Sequence, residues 1–228
     1  MKDLVKDKRV LITQTDAYMG EPIAKLFKEL GADVIESTRN LTEPNAAQEI
    51  IDEVGDIDVL IANLAEREWW NALVQDIPDD KWLRHFDDIV HPLMRLTRAV
   101  TPQFIKRGQG KIVAITSAAP LRGIPKATGY CAARGAQNAF VRAAGLELAR
   151  NNIQFNAIAQ NYVENKTYYP PELTSNEEMM KRMLKVIPAG RLAKGEESAY
   201  LAAFLASKYA DFFVGQIFPF SGGWVTST

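Results

Sequence analysis

The sequence predicts a single α/β domain built on a doubly wound parallel sheet with helices on both faces. Three observations predict it. Short Val- and Ile-rich runs alternate with longer amphipathic stretches along the chain. Most of the short runs are apolar on successive residues, as strands buried on both faces require. The 228 residues supply one large core, and no repeat or low-complexity segment divides them.

The strand candidates are RVLIT (9–13), ADVIE (32–36), DVLIAN (58–63), GKIVAITS (110–117), IQFNAIA (153–159) and QIFPF (216–220). Between the first two runs a helix from Glu21 to Leu30, which stops at Gly31, a residue suited to the left-handed turn after a helix. Further helices are expected from about Asn45 to Val54, Asp79 to Lys106, Thr128 to Arg150 and Glu196 to Ser207. Pro78 stands just before the helix at Asp79, where a missing N–H costs nothing. Right-handed crossovers between such units give a parallel sheet. The segment from about 160 to 175, with two prolines and a tyrosine pair, breaks the alternation and reads as a loop over the strand ends.

Composition removes several classes of function. The formal net charge is −1 with both signs interspersed, so neither nucleic acid nor a membrane surface is an expected partner. Cys131 is the lone cysteine, which forbids an internal disulfide and fits a reducing cytoplasm. The opening MKDLVKDKRVLITQ is charged through Arg9, so no signal peptide or spanning helix is expected there. His85 and His91 lack cysteine company, and no metal site is expected.

Ligands of such sheets bind at the carboxyl ends of the strands. Four segments converge there: the turn after the first strand, Asn63, Thr116–Ser117 and Gln160–Tyr162. The richest stretch is SAAPLRGIPKATGYCAARGAQNAF, residues 117–140. Tyr130 and Arg134 are four apart on a helix and share a face. A guanidinium beside a phenol favours the phenolate, which can take a proton from an alcohol. Ser117, closing the preceding strand, can hold the same oxygen by donating a hydrogen bond. An isolated Tyr–Arg pair at this spacing is common on helices; the serine at the strand end makes it a candidate site.

These residues resemble the short-chain dehydrogenase/reductase superfamily over nearly the whole chain, a Rossmann-like fold. The resemblance rests on the strand–turn–helix start, LIAN after the third strand, the Ser117–Tyr130 pair and the ending GQIFPFSGGW. Two departures share a direction. The superfamily carries Y-x-x-x-K, and this chain has Arg134; it carries T-G-x-x-x-G-x-G, and this chain reads TQTDAYMG from Thr13 to Gly20. Both departures resemble the halohydrin dehalogenases, a cofactor-free branch with a Ser-Tyr-Arg triad and a turn T-x-x-x-x-(F/Y)-x-G. Side chains at Gln14 and Tyr18 would fill the space a pyrophosphate needs.

The resemblance implies Ser117, Tyr130 and Arg134 as catalytic residues. It implies no cofactor, a haloalcohol or epoxide as substrate, and a halide or other small anion as partner. It places a halide-site loop at Gln160, Asn161, Tyr162 and Val163, although relatives often carry proline where Gln160 stands. Tyr18 would face the same pocket, and Tyr168 and Tyr169 match an aromatic stretch that lines it. The expected substrate and halide pocket comprises Thr13, Tyr18, Asn63, Gln160, Asn161, Tyr162, Val163 and Tyr169. Asn63 also fits a plain strand-end turn role. The pair Trp69–Trp70 fits packing as well as substrate contact. The superfamily implies a homo-oligomer, a dimer of dimers joined through helices 79–106 and 128–150. Two other readings stay open: an NAD(P)-dependent oxidoreductase, and a non-catalytic member of the fold.

Overall fold

The computed structural model describes residues 3–66, 68 and 70–226. Six strands form one fully parallel sheet: β1 (Arg9–Thr13), β2 (Asp33–Ser37), β3 (Val59–Asn63), β4 (Gly110–Ser117), β5 (Ile153–Gln160) and β6 (Ile217–Phe220). Their spatial order is β2-β1-β3-β4-β5-β6, so the chain reverses its winding between β1 and β3. Crevices at such reversals are where open α/β sheets bind ligands. β4 and β5 pair in register along their whole length, which brings Ser117 opposite Gln160.

The continuous apolar runs have the expected cause. Leu11, Leu60, Ile112 and Ala114 point to one face, packed by α2 (Ala46–Val54), α4 (His91–Arg107) and α6 (Thr128–Leu148). Val10, Ile12, Val59, Ile61, Val113 and Ile115 point to the other, covered by α1 (Gly20–Glu29) and α9 (Gly195–Leu205). A strand with helices on both sides has no polar face to show in its sequence. Among the described residues no helix is long and apolar enough to cross a membrane.

Three expectations are corrected. The helix predicted over 79–106 is interrupted: α3 (Asp79–His85) passes through a π-turn at Phe86–Val90 before α4. Pro92 has no N–H to offer the Asp88 carbonyl, and the His91 N–H reaches back five residues to Phe86 instead. Short helices absent from the sequence reading occur at α5 (Ala119–Arg122) and α7 (Pro171–Thr174). A further one, α8 (Glu177–Leu184), is started by the Asn176 carboxamide accepting the Met179 N–H at 3.0 Å.

Gly20 explains how α1 is seated on the sheet. A Cβ there would lie 2.4 Å from the Thr15 Cα and 2.6 Å from the Gln14 carbonyl, both backbone atoms with no room to shift. Gly20→Ala is therefore expected to lower the unfolding free energy by about 1–3 kcal/mol, read from urea denaturation. An unchanged midpoint would show that this turn packs loosely.

Candidate active site

The turn between β1 and α1 is held in an unusual shape by side chains. Gln14 and Tyr18 both take positive φ (46° and 51°), a region that disfavours residues with a Cβ. Asn63 over-determines that shape. Its Nδ2 donates to the carbonyls of Thr13, Gln14 and Ala17 at 3.2, 2.9 and 3.0 Å, and its Oδ1 accepts the Met19 N–H at 3.2 Å. Gln14 Oε1 accepts the Ala65 N–H at 2.7 Å. The Tyr18 N–H donates to Thr167 Oγ1 at 2.7 Å, tying the turn to the loop after β5.

This geometry aims the Tyr18 ring inward, where its hydroxyl donates to the Thr116 carbonyl at 2.9 Å. Arg134, on α6, lies behind it with no exposure to solvent. The guanidinium carbon sits 5.4 Å from the Tyr18 ring centre and 5.2 Å from that of Tyr130. Nη1 donates to the Ile115 carbonyl (3.3 Å) and Gln137 Oε1 (2.9 Å), and Nη2 donates to the Tyr168 hydroxyl oxygen (3.2 Å). Gln137 is fixed in turn by donating to the Ile89 carbonyl at 2.7 Å, at the π-turn before α4. At the end of β4, Ser117 Oγ accepts the Ala119 N–H at 3.0 Å, so its own O–H is left to donate into the adjoining cavity.

Electrostatics divides the tyrosines. Burial pushes the Tyr18 and Tyr168 hydroxyls up, more than the nearby Arg134 pulls them down. Burial likewise pushes Tyr169 up. Burial alone would pull Arg134 down, but Tyr130, Tyr168, Tyr18 and Glu66 together carry it above its ordinary value. Arg134 thus stays cationic while the three phenols stay neutral.

A cavity of about 520 Å³ opens in front of these groups. Of the residues expected to form the site, Tyr18, Ser117, Tyr130, Gln160, Asn161, Tyr162, Val163 and Tyr169 line it. Thr13, Asn63 and Arg134 do not, Arg134 lying sealed behind the rings of Tyr18 and Tyr130. Thr13 is fully buried with its hydroxyl donated to the Asn63 carbonyl at 2.9 Å, and the Asn63 side chain is consumed by the turn. Both act on the site's shape and not on its contents. The loop donors are also partly spent. The Tyr162 N–H is shared between Asn161 Oδ1 (2.9 Å) and the Tyr169 oxygen (3.1 Å), and Asn161 N–H goes to the Phe220 carbonyl. The Gln160 Oε1 accepts from the Ser198 hydroxyl at 2.8 Å, and Gln160 is part of the cavity lining. Trp70 packs against His85, with ring centres 6.3 Å apart, and Trp69 lies outside the described residues.

The structure adds residues that spacing did not single out. Tyr168 stands edge-on to Tyr18 with ring centres 5.1 Å apart, and 6.1 Å from Tyr130. The resemblance named it, with Tyr169, only as part of an aromatic stretch lining the pocket. Gln137, Glu66 and His85 gave no such signal. Among the described residues no three His, Cys, Asp or Glu side chains gather as metal ligands would.

A nicotinamide dinucleotide fits these residues poorly. The Tyr18 ring and the bonded Gln14 side chain occupy the turn where a backbone should approach the pyrophosphate. Beyond Tyr18 lies a second cavity of about 1020 Å³ whose wall carries Asp16, Glu21, Glu164, Glu196 and Glu197. Two of these are paired, Glu21 with Lys166 at 2.5 Å and Glu197 with Arg191 at 2.7 Å. Lys166, Arg191 and Lys194 share that wall, so the misfit rests on the filled turn and not on the charge of this cavity. Past β2, Arg39 is held by Glu49 and Glu53 on α2 at 2.9 and 2.6 Å.

Comparison with known proteins agrees with the fold. A family model described as enoyl-(acyl carrier protein) reductase matches residues 6–225. A solved structure described as a dehalogenation enzyme is 32% identical, with a TM-score of 0.89, covering 97% of this chain and all of the other. A gluconate 5-dehydrogenase from Burkholderia cenocepacia, solved with NADP and tartrate, is 25% identical at a TM-score of 0.87, covering 100% and 99%. The 2-dehydro-3-deoxy-D-gluconate 5-dehydrogenase of Bacillus subtilis is 28% identical, covering 97% of this chain and 96% of its own.

The four hydrogen bonds of Asn63 set a measurable expectation. Asn63→Ala leaves the Met19 N–H of a buried turn without its acceptor and removes one donor each from the Thr13, Gln14 and Ala17 carbonyls, and should cost about 1–3 kcal/mol of stability in chemical denaturation. A loss below about 1 kcal/mol would mean that water or neighbouring groups replace those bonds.

Proposed function

The chain belongs to the short-chain dehydrogenase/reductase superfamily, in the family described as enoyl-(acyl carrier protein) reductase, and on that premise we propose that it is a halohydrin dehalogenase. One observation carries this reading: a guanidinium, Arg134, fully buried between the rings of Tyr18 and Tyr130. Arginine's planar fork serves several acceptors at once, whereas the ammonium of a dehydrogenase lysine is a compact donor to ribose hydroxyls. The structural likeness to a dehalogenation enzyme supports the same reading.

The chemistry uses this chain's own groups. The Tyr130 phenolate, with the Arg134 guanidinium 5.2 Å from its ring centre, takes the proton of the substrate hydroxyl while Ser117 donates a hydrogen bond to that oxygen. The oxygen's electron pair attacks the neighbouring carbon, a C–O bond forms, and the C–halogen bond breaks with its pair leaving on the halide. The products are an epoxide, a halide and a proton held on Tyr130. The halide leaves toward Tyr18 and the 160–163 loop, where Gln160 lines the cavity beside aromatic walls. In reverse, a small anion in that place opens an epoxide. Helices α4 and α6 are the proposed faces of a homotetramer.

The sequence relatives favour a second reading, an NAD(P)-dependent oxidoreductase, because they are dehydrogenases and reductases. Halide and acid release from several vicinal bromo- and chloro-alcohols separates the two. The protein should release both without any nicotinamide added, and Tyr130→Phe should lose at least about a hundredfold in kcat. No release from any of them, together with saturable quenching of tryptophan fluorescence by NADPH, would replace the first reading by the second.

A further inference from the structure

Glu66, just past β3, and His85, the last residue of α3, take no part in the chemistry above. Their side chains are 1% and 4% exposed, with His85 Nδ1 2.5 Å from Glu66 Oε1. The other oxygen of Glu66 and Nε2 of His85 have no hydrogen-bond partner among the described residues. Leaving such atoms unpaired in the interior is costly, so packing alone is a weak reason for the pair.

The pair touches the site from two sides. The Glu66 N–H donates to the Tyr168 hydroxyl oxygen at 3.2 Å, the same atom that accepts from Arg134 Nη2 at 3.2 Å. The His85 ring lies against Gly129, the residue before Tyr130, so closely that a Cβ there would be 2.5 Å from its Cδ2. The Glu66 charge also reaches the cluster, pushing both Arg134 and Tyr168 upward.

We propose that Glu66 and His85 are positioning residues that set how much of the Arg134 charge is available to Tyr130. The Glu66 carboxylate draws on the Arg134 charge, the His85 ring against it limits that draw, and a second negative charge in the same buried cluster disfavours a phenolate. Among the groups facing Tyr130 are Arg134 on its own helix, Tyr18 from the turn, Ser117 from β4, and Tyr168 and Tyr169 from the loop. The pair faces Arg134 and Tyr168, with Arg84 and Asp88, 3.7 Å apart, on the neighbouring helical turns. The inference deepens the reading of Tyr130 as the base and rests on it.

Phenolate absorbance in the near ultraviolet reads this without turnover, taking each protein against the same protein carrying Tyr130→Phe. Glu66→Gln keeps the volume and removes the charge, and should shift the Tyr130 ionisation to lower pH by about one pH unit. His85→Gln leaves the carboxylate uncompensated and should shift it the other way. A purely structural pair would move neither, or both in one direction. An unmoved Glu66→Gln transition in a folded protein overturns the proposal, and where one variant does not fold the other decides. Loss of the fold in both assigns the pair to structure and overturns it as well. Absence of halide release by the intact protein would refute the dehalogenation reading and leave this titration standing.

Discussion

A guanidinium sealed from water must find its partners inside the protein, and Arg134 finds them on elements from across the fold. The Ile115 carbonyl comes from β4, Gln137 from its own helix, Tyr168 from the loop after β5, and two aromatic faces from Tyr18 and Tyr130. Transferring an ion into a low-dielectric interior costs several kcal/mol, so each of these partners is under constraint. Two desolvated cation–π contacts offset part of that cost, at about 2 kcal/mol each. Their geometry requires Tyr18 to point inward, and that requirement reaches back into the turn.

The turn shows how one buried charge shapes distant backbone. A glycine-rich turn would follow its path without strain, but it would bring no ring to Arg134. This chain instead places non-glycine residues at positive φ and holds them with Asn63, Gln14 and Thr167. Strain of about 1–3 kcal/mol per residue persists only where surrounding bonds over-determine it. Stability is thereby exchanged for a wall of the reaction cavity. The same ring occupies the space that a glycine-rich turn leaves open.

The sheet and its large helices were legible because burial on both faces writes continuous Val and Ile runs, and because Pro and Gly mark helix ends. The contact of Tyr130 with Arg134 was legible because they are one helical turn apart, and Ser117, which closes the strand before them, lines the same cavity as Tyr130. What escaped was non-local or short. Helix α8 has eight residues, and its Met180, Met183 and Leu184 find their apolar surroundings only at the two cavities. The π-turn follows from a missing donor at Pro92, visible in the sequence only once the helix is known to continue across it. Asn63 was equally compatible with a turn or a pocket, and only the positions of three carbonyls decide between them. Glu66 and His85 are nineteen residues apart, with no periodicity to connect them.

On the proposed dehalogenase reading, the space in front of Arg134, Tyr18 and Tyr130 holds a small anion beside an alkoxide. A crystal soaked in bromide tests it most directly, because anomalous scattering locates that ion unambiguously. The account predicts one bromide against the Tyr18 ring and residues 160–163, within reach of a substrate carbon whose oxygen meets Ser117 and Tyr130. Bromide absent from that place, with a nicotinamide dinucleotide lying across the β1–α1 turn in a co-crystal, would contradict it.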